Sequence, residues 1–360
     1  MKKRLLMLLL SGLLLSGCAV KDTNFKIENG WENSGQDEDT APAQKPQESK
    51  GLTFLSKSNG TCYVVDMGSC KDLDLVIPEV SPSGDKVVGI WSMIGNGVKV
   101  RSVWIPESVT EIRAYAFQNF TALESVYISN GVTHIRNRAF YNCSSLKQIT
   151  LPSTLSYLGE EVFSKCAQLE EIILPEGVTY IDRCTFSDCS SLKRVYFPKA
   201  LTYIGDEAFK NCISLEEIRI PQNVVVIGEN AFLGFRGSVI EVDEENRVYQ
   251  SGGNCLIETA SQRLILGCKT SVIPHSGVHI IATNAFHDCT NEIIIPGNIN
   301  KLEKHAIYVS YAVPIKICYE GTVSEWNYKY LQMSAIYFAG NNYAKVECFD
   351  GQATVPLIVD

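Results

Sequence analysis

A 23-residue repeat runs through the middle of this sequence. Six tandem copies begin at Ile105, Ile128, Leu151, Leu174, Phe197 and Ile220. A fixed period of about 20 to 50 residues is typical of a solenoid, in which each repeat packs only on its neighbours. Since 360 residues exceed the length that one compact core usually supports, stacking of repeats accommodates the chain. The period therefore predicts a repeat solenoid.

Counted from the first residue of each copy, apolar side chains recur at positions 1, 5, 8, 12, 13, 16, 19 and 22. Position 12 holds a small or compact residue, and position 13 is phenylalanine in all six copies. The six are Phe117, Phe140, Phe163, Phe186, Phe209 and Phe232. One large ring beside one small side chain fills an interior without overpacking it. Proline follows at position 2 in five copies and lacks a ladder donor, so it predicts the end of a strand.

The residues from position 19 to position 1 of the next copy read Leu-x-x-Val-x-Ile, as in Leu123–Ile128. This run is similar to the strand of leucine-rich repeats. The usual asparagine ladder is replaced by proline, then Val-Thr-x-Ile, then Ala-Phe-x-x-Cys. That variant resembles the BspA-like (TpLRR-type) leucine-rich-repeat surface lipoproteins of Bacteroidetes and treponemes. The resemblance covers residues 52–360. It implies a β-rich, leucine-rich-repeat-type solenoid with short strands, turns and helical turns, shaped as a right-handed curved rod.

The first residues have the composition of an export signal. Three basic residues at 2–4 precede the apolar run Leu5–Leu15, which is too short to span a membrane as a helix. The junction Leu15–Cys18 resembles the bacterial lipobox. Residues 1–17 are therefore predicted to be a lipoprotein signal peptide, and Cys18 the lipidated N-terminus. An ordinary secretory signal that contains a cysteine is the alternative.

Charge narrows the range of partners. The chain carries 32 basic and 40 acidic residues, a net charge of −8; loss of three basic residues with the signal peptide leaves 29 against 40, or −11. This balance argues against nucleic acid and against a basic membrane-binding surface, so membrane contact is expected through the lipid anchor alone. The expected location is the bacterial cell envelope, at the outer membrane and exposed on the surface. The lipobox itself leaves the membrane and the face open.

Composition and repeat phase divide the remaining chain into segments. Residues 18–50 have almost no apolar clustering and are predicted to be a disordered tether behind the lipidated cysteine. The further segments are 51–104, an N-terminal cap with a degenerate repeat; 105–242, the six repeats; 243–271, an inserted β-hairpin; 272–317, two further repeats; and 318–360, a C-terminal cap. With the degenerate copy included, about nine turns are expected.

Cysteine spacing indicates packing rather than metal binding. Position 16 holds cysteine in four copies and phenylalanine in the other two, which is the pattern of an apolar packing site. The four are Cys143, Cys166, Cys189 and Cys212. No Cys-x-x-Cys or similar metal spacing is present, so no metal and no cofactor are predicted. Two disulfides are candidates in an exported protein: Cys255 with Cys268, across the predicted hairpin, and Cys62 with Cys70.

Position 7 lies between two core positions, so its side chain should face solvent. Its occupants are Glu111, His134, Tyr157, Tyr180, Tyr203 and Val226. Three stacked tyrosines next to His134 would form an amphipathic strip suited to contact with protein or glycan. An aromatic ladder that only stabilises the sheet is the alternative. Position 23 provides a second candidate face, which includes Tyr127 and Tyr196.

No motif of a known catalytic chemistry occurs: His-Glu-x-x-His, the Gly-x-Ser-x-Gly elbow and the P-loop are all missing from the sequence. No catalytic residue is therefore predicted. The family resemblance implies a non-enzymatic cell-surface adhesion protein that binds extracellular-matrix protein, a host cell or another bacterium. A glycan-binding surface lipoprotein for nutrient capture is the alternative. Hydrolytic activity within 243–271 is a third hypothesis.

Overall fold

The computed structural model describes residues 46–91, 93, 99–287, 292–309, 316–330, 336–338 and 345–354. The predicted signal peptide, Cys18 and the tether up to residue 45 lie outside the described residues. Short β-strands make up most of the regular structure. The N-terminal cap contains β1 (Thr53–Ser56), β2 (Thr61–Asp66), β3 (Asp74–Val76), β4 (Lys86–Ile90) and β5 (Ser102–Ile105).

Each of the six repeats contributes two strands. In chain order these are β6 (Glu111–Ile112), β7 (Ser125–Ile128), β8 (His134–Ile135), β9 (Gln148–Thr150), β10 (Tyr157–Leu158), β11 (Glu171–Ile173), β12 (Tyr180–Ile181), β13 (Arg194–Tyr196), β14 (Tyr203–Ile204), β15 (Glu217–Ile220), β16 (Val226–Ile227) and β17 (Val239–Val242). The two-residue strands at positions 7 and 8 form the short-strand face. The longer strands, which end near position 1 of the next copy, form the long-strand face.

The C-terminal part begins with three antiparallel strands, one more than the predicted hairpin. Its elements are β18 (Tyr249–Gly252), β19 (Cys255–Glu258), β20 (Arg263–Leu266), β21 (Ile280–Ile281), β22 (Phe286–His287), β23 (Glu292–Ile295), β24 (Lys301–Leu302), β25 (Ile307–Val309), β26 (Lys316–Tyr319), α1 (Val323–Tyr330), β27 (Ile336–Phe338), β28 (Lys345–Cys348) and β29 (Gly351–Thr354). Strand β20 then pairs in parallel with β21, so the chain returns to the solenoid.

Successive turns pair in parallel and in register, so equivalent positions lie side by side. On the long-strand face, Val126 pairs with Val103 on one side and with Ile149 on the other. On the short-strand face, Ile112 pairs with Ile135. The predicted β-rich solenoid with a 23-residue period is confirmed, but it has about 11 turns where about nine were expected. The caps contain parallel strands too, β2 with β4 and β26 with β28.

A third face, the turn face, spans positions 10 to 16. Its backbone has a left-handed φ at positions 11 and 15 of every repeat. The residues are Tyr115, Asn119, Arg138, Asn142, Glu161, Lys165, Cys184, Asp188, Glu207, Asn211, Asn230 and Gly234. Such a φ costs a residue other than glycine about 1–2 kcal/mol. Hydrogen bonds between turns offset this cost, because the N–H groups of positions 11, 13 and 15 donate to carbonyls of the next turn, as Phe163 does to Thr185 at 2.9 Å.

The apolar positions of the repeat fill the interior, as the period predicts. All six position-13 phenylalanines are buried, and consecutive rings stack with centroids 5.2–5.6 Å apart and planes 4–14° from parallel. Thr185 is the polar exception at position 12, and its hydroxyl donates to the Asp182 carbonyl at 2.7 Å. A second cluster of buried apolar residues continues the core from Cys255 to Ala353.

Within the described part of the chain, α1 is the only α-helix. A capping box begins it: the N–H of Glu325 donates to the Thr322 hydroxyl at 3.2 Å, and the Glu325 carboxylate accepts from the Thr322 N–H at 2.8 Å. Trp326 and Tyr330 bury the inner side of the helix. No helix among these residues is long and apolar enough to cross a membrane.

Candidate binding surface

The position-7 side chains lie on the outer side of the short-strand face. Position 8 is a core residue, so the alternation of side chains along the strand turns position 7 to solvent. Tyr180 is 59% exposed and Tyr157 is 36% exposed, while His134 and Tyr203 are half-buried. Strand pairing places Tyr157 beside His134 and Tyr203 beside Tyr180. The four side chains therefore lie in one row across four turns.

The row divides into two ring pairs. The ring of Tyr157 stacks on that of His134 with centroids 5.7 Å apart, and Tyr203 lies against Tyr180 at 5.7 Å with a tilt of 37°. Strands β10 and β12 share no strand pairing, and no ring contact joins Tyr157 to Tyr180 in the part of the chain that is described. Each ring thus has one face against its pair neighbour.

Arg136 brings a positive charge to this row from position 9. Its guanidinium carbon lies 5.0 Å from the centroid of the Tyr157 ring, and its Nε donates to the Glu111 carboxylate at 2.6 Å. A cation over an exposed tyrosine ring contributes about 0.5–1 kcal/mol. The Thr133 hydroxyl lies 2.8 Å from Nδ1 of His134. Arg136 thus contacts both Glu111 and the Tyr157 ring, and His134 contacts both Thr133 and the Tyr157 ring. These contacts fix the orientation of both side chains.

The row continues into the N-terminal cap, which the period of the six repeats does not predict. Gly89 pairs with Glu111, and Tyr63 pairs with Gly89. A Cβ at Gly89 would lie 2.8 Å from Cδ1 of Tyr63, so the tyrosine ring covers the glycine backbone. Trp91 lies edge-on to Tyr63 at 5.8 Å, and the Arg113 guanidinium lies 4.4 Å from the Trp91 ring. These aromatic residues extend the surface by further turns.

The sequence did contain a signal for this extension. The run Val87–Ile90 echoes the Val-Thr-x-Ile motif, which assigns Gly89 to position 7 and Trp91 to position 9. The surface is called the aromatic strip from here on. It comprises Tyr63, Trp91, His134, Tyr157, Tyr180 and Tyr203, with Arg113 and Arg136 beside them.

The two position-23 tyrosines lie on the long-strand face, away from the aromatic strip. The ring of Tyr127 stacks on that of Trp104 at 4.0 Å. Tyr196 is exposed and lies three repeats further on, with Thr150 and Ile173 at the equivalent positions between them. The structure therefore brings Tyr127 and Tyr196 neither to each other nor to the aromatic strip.

A comparison with known families identifies the repeat. A family model described as BspA type leucine rich repeat region matches 6 copies in this chain, over residues 110–237 and 266–351. The two matched ranges together span more than half of the sequence. The chain belongs to this family. No curated protein matches it.

Solved structures of bacterial leucine-rich-repeat proteins are similar to this BspA-type chain. A leucine rich cell surface protein from Faecalibacterium prausnitzii A2-165 is 27% identical, with a TM-score of 0.66 and 78% of each chain covered. The T. pallidum leucine rich repeat protein TpLRR is 24% identical, with a TM-score of 0.42, and the match covers 55% of this chain and 81% of that one. A leucine-rich repeat protein from Bacteroides ovatus is 19% identical, with a TM-score of 0.36 and coverage of 83% and 89%.

The position-16 cysteines of the BspA-type repeats are buried thiols with a hydrogen-bond partner. The thiol of Cys166 donates to the Phe140 carbonyl at 3.3 Å, and that of Cys189 donates to the Phe163 carbonyl at 3.1 Å. Burial is the largest cause that raises the pKa of both thiols well above its ordinary value. Position 16 is thus a packing position that also satisfies a carbonyl of the preceding turn.

The four cysteines of the predicted disulfides are free thiols in the structure, so neither bridge is formed in it. Sγ of Cys268 lies 3.6 Å from the Asn254 carbonyl oxygen, and Sγ of Cys255 lies 3.6 Å from that of Gly253. The pairs Cys255 with Cys268 and Cys62 with Cys70 stay predictions for the exported protein. Among the residues described, no group of three or more His, Cys, Asp and Glu side chains is placed to hold a metal ion.

Proposed function

We propose that this protein is a non-enzymatic cell-surface binding protein and that the aromatic strip is its contact surface for a protein partner. The composition of the strip carries the proposal. Trp, Tyr and Arg are the residues that most often dominate the binding energy of protein interfaces. The strip places Trp91 and Arg113 at one end and Tyr157, Tyr180 and Tyr203 at the other, all on one face.

The strip is ordered before any partner arrives. Its side chains project from strands that pair in register with the neighbouring turns. Ring stacking and the arginine contacts further restrict their rotamers. A partner therefore loses little affinity to the ordering of interface side chains, a cost of about 0.5–1.5 kcal/mol for each flexible side chain.

Ring orientation favours a protein over a glycan. A sugar ring stacks on an aromatic side chain through an open ring face. The pairs His134 with Tyr157 and Tyr180 with Tyr203 reduce the open ring area, and the Arg136 guanidinium also lies over the Tyr157 ring. Less ring area is therefore free for a sugar to stack on, while the tyrosines can still make mixed polar and apolar contacts. Glycan capture is the second candidate, and Tyr180 is the ring most suited to it because it is the most exposed of the four.

The proposed location is the bacterial cell surface, with Cys18 as the lipid-anchored residue. The similarity to a cell surface protein of F. prausnitzii supports the surface location. Protease treatment of intact cells tests it, with immunodetection of the solenoid before and after. We expect the signal to be lost, and we expect Cys18→Ser to release the protein from the membrane fraction. Full protection of the solenoid would contradict surface exposure.

The combined variant Tyr157→Ser, Tyr180→Ser and Tyr203→Ser tests the contact surface. We expect it to bind immobilised extracellular-matrix proteins and intact host cells at least about tenfold more weakly than the native chain, since interface hot spots contribute about 2 kcal/mol or more each. Serine keeps these outward positions polar, so the circular dichroism spectrum should not change. The matched control is Tyr127→Ser with Tyr196→Ser on the long-strand face, which should bind normally.

Competition with free sugars separates the two candidate functions. Binding to matrix protein that soluble sugars do not reduce supports a protein partner. Retention on a polysaccharide matrix that free sugar abolishes would support glycan capture instead. Native affinity of the triple tyrosine variant for every partner would remove the aromatic strip as the contact surface.

A further inference from the structure

The hydrogen-bond ladder of the turn face stops after the sixth repeat. In the last complete step, the Phe209 N–H donates to the Ala231 carbonyl at 2.7 Å. The corresponding donors of the next step are the N–H groups of Asn230, Phe232 and Gly234. None of the three has an acceptor among the residues that the structure describes. Every earlier step from the first repeat onward is complete, so this end of the ladder is distinct.

The inserted strands cause the interruption. Residues 243–271 form β18 to β20 in place of a full turn-face segment. This segment makes one such hydrogen bond to the following turn: the N–H of Gly267 donates to the Ala285 carbonyl at 2.8 Å. One side chain of the following turn also contacts the sixth repeat: Nδ2 of Asn284 donates to Oδ1 of Asn230 at 2.9 Å, across 54 residues of sequence. The remaining space between the two turns is open.

A cavity of about 280 Å³ occupies this space. Residues 227–233 form one wall, so the backbone donors of Asn230 and Phe232 border the cavity. The opposite wall includes Leu256, Arg263, Leu266, Ala282, Thr283 and Glu303. The lining thus combines backbone hydrogen-bond donors, the apolar side chains of Leu256 and Leu266, and the charged pair of Arg263 with Glu303. The volume is close to the lower end of ligand pockets, about 300 Å³.

Arg263 is held in place but keeps a free donor. Its Nε and Nη2 donate to the Glu303 carboxylate at 3.2 and 2.7 Å, and Glu303 also accepts from the Thr283 N–H at 3.1 Å. Nη1 of Arg263 has no partner in the described part of the chain. Glu229 also borders the cavity, but it is exposed, so water and salt screen its charge.

We propose that this cavity binds a carboxylate joined to a short apolar group, the chemistry found at the C-terminal end of a peptide. The N–H groups of Asn230 and Phe232 and Nη1 of Arg263 supply the donors for the carboxylate oxygens. Asn230 has a φ of 55° between neighbours without positive φ, the backbone form of many anion-binding concavities. The apolar group packs against Leu256 and Leu266. Capture of a terminal carboxylate by backbone donors is an established mode of peptide recognition.

The position of the cavity favours a chain end over a free acid. Ile227 borders the cavity and directly follows Val226, the last member of the position-7 row. Strand pairing places Val226 beside Tyr203 of the aromatic strip. A peptide that lies along the strip would therefore end in the cavity. The carboxylate contacts themselves are local and do not depend on the strip.

Two tripeptides test the inference: acetyl-Ala-Ala-Leu with a free carboxylate and the same peptide as its C-terminal amide. Each is titrated into the full chain carrying Cys18→Ser and followed by calorimetry. We expect saturable binding of the acid and at least about tenfold weaker binding of the amide, because hydrogen bonds to a charged group are stronger than those to a neutral one. Equal binding of the two peptides, or binding of neither, overturns the proposal.

N-acetyl-leucine is the third probe and distinguishes the two sources of the same chemistry. It carries the carboxylate and the apolar side chain but no preceding residues. Affinity below that of the acid tripeptide supports a polypeptide end as the ligand. Affinity equal to it supports a carboxylate site that takes free apolar acids, and it overturns the assignment to a chain end.

Two variants of the ion pair have opposite expected effects. Arg263→Met removes the free donor and should weaken binding of the acid tripeptide about tenfold. Glu303→Gln keeps an acceptor for Arg263 and Thr283 but removes a competing negative charge, so it should tighten binding about threefold. A variant that fails to fold cannot gain affinity. Tighter binding by Glu303→Gln therefore supports the proposal even if Arg263→Met fails to fold. Native affinity in both variants overturns the proposal.

The triple tyrosine variant separates this inference from the proposed function. Its cavity is intact, so it should bind the acid tripeptide as the native chain does. Loss of partner binding with retained tripeptide binding would support both sites as independent contacts. Loss of tripeptide binding in this variant would overturn the local carboxylate site.

Discussion

Phe186 and Phe209 stack face to face across one turn of the solenoid, with ring centroids 5.2 Å apart and planes 9° from parallel. Equivalent contacts connect all six position-13 rings into one column. A ring in the middle of the column has one ring above it and one below it. No repeat therefore contains its complete core, and each repeat is stabilised through its two neighbours.

Loss of one central ring should destabilise the whole column. We expect Phe186→Ala to lower the free energy of unfolding by about 3–5 kcal/mol, because it removes a buried ring and leaves a cavity that two neighbouring rings cannot fill. Urea unfolding followed by circular dichroism measures the change. The control is Phe349→Ala, whose ring is 79% exposed and should matter by about 0.5 kcal/mol or less. Similar losses for both variants would contradict a central role of the column.

Repeat phase is sufficient to predict the column, the buried positions and the parallel register. Every copy places the same residue type at the same step, so Phe186 must meet Phe163 and Phe209 once turns stack. The left-handed residues of the turn face are not predictable in this way. Glu161 and Cys184 are not residue types that favour a positive φ, and only the hydrogen bonds to adjacent turns stabilise that conformation.

The site was less predictable than the fold, because its contacts cross breaks in the repeat. Tyr63 lies in a cap whose strands are out of phase with the repeats, so the sequence gives no position for it in the row. Arg263 lies in the inserted strand β20 and meets Glu303 of a later turn, 40 residues further along the chain. Two residues at the same repeat position also need not be close in space: Tyr127 and Tyr196 both occupy position 23 and lie three repeats apart.

Gly89 is needed where the Tyr63 ring crosses the backbone. Its φ is not in the left-handed region, so a larger residue is excluded by contact and not by backbone conformation. We expect Gly89→Ala to cost about 1–3 kcal/mol, the usual range for overpacking, since the new Cβ would lie 2.8 Å from Tyr63 Cδ1. The cost should fall when Tyr63→Ala is also present. A double-mutant cycle by chemical unfolding measures this coupling, and additive effects would show that the ring is not the obstacle.

Thiol reactivity should follow burial along the chain. Burial raises the pKa of Cys189 well above its ordinary value and that of Cys255 to about 12, so few thiolates form at pH 8. Cys318 and Cys348 are only half-buried and should react with iodoacetamide first. Peptide mass spectrometry of the native protein at successive times gives the order. Fast labelling of Cys189 would contradict its burial.

The same reagent, applied after denaturation without reductant, tests the two predicted disulfides. A bridge in the exported protein would protect Cys255 with Cys268, or Cys62 with Cys70, from alkylation even in the unfolded chain. Labelling of all four would show that they are free thiols in solution as they are in the structure. Reduction before labelling is the control, since it must expose every cysteine.

The ion pair of Arg263 with Glu303 should make stability depend on acid pH. The hydrogen bond from Arg263 is the largest cause that lowers the pKa of Glu303 below its ordinary value of 4.5. A carboxylate whose pKa is lower in the folded state stabilises that state fully above the unfolded pKa. The contribution is lost as the pH falls through the folded pKa.

Glu303→Gln should therefore lower the free energy of unfolding by about 1.5–3 kcal/mol at pH 7, the range for a hydrogen bond to a charged group, and the difference from the native chain should shrink below pH 4.5. Urea unfolding at a series of pH values measures it. Glu170→Gln is the matched control: Lys193 lowers the pKa of Glu170 in the same way, but that pair is exposed to solvent and its effect should be much smaller. A constant difference between native and Glu303→Gln across this pH range would show that the charge of Glu303 does not stabilise the fold.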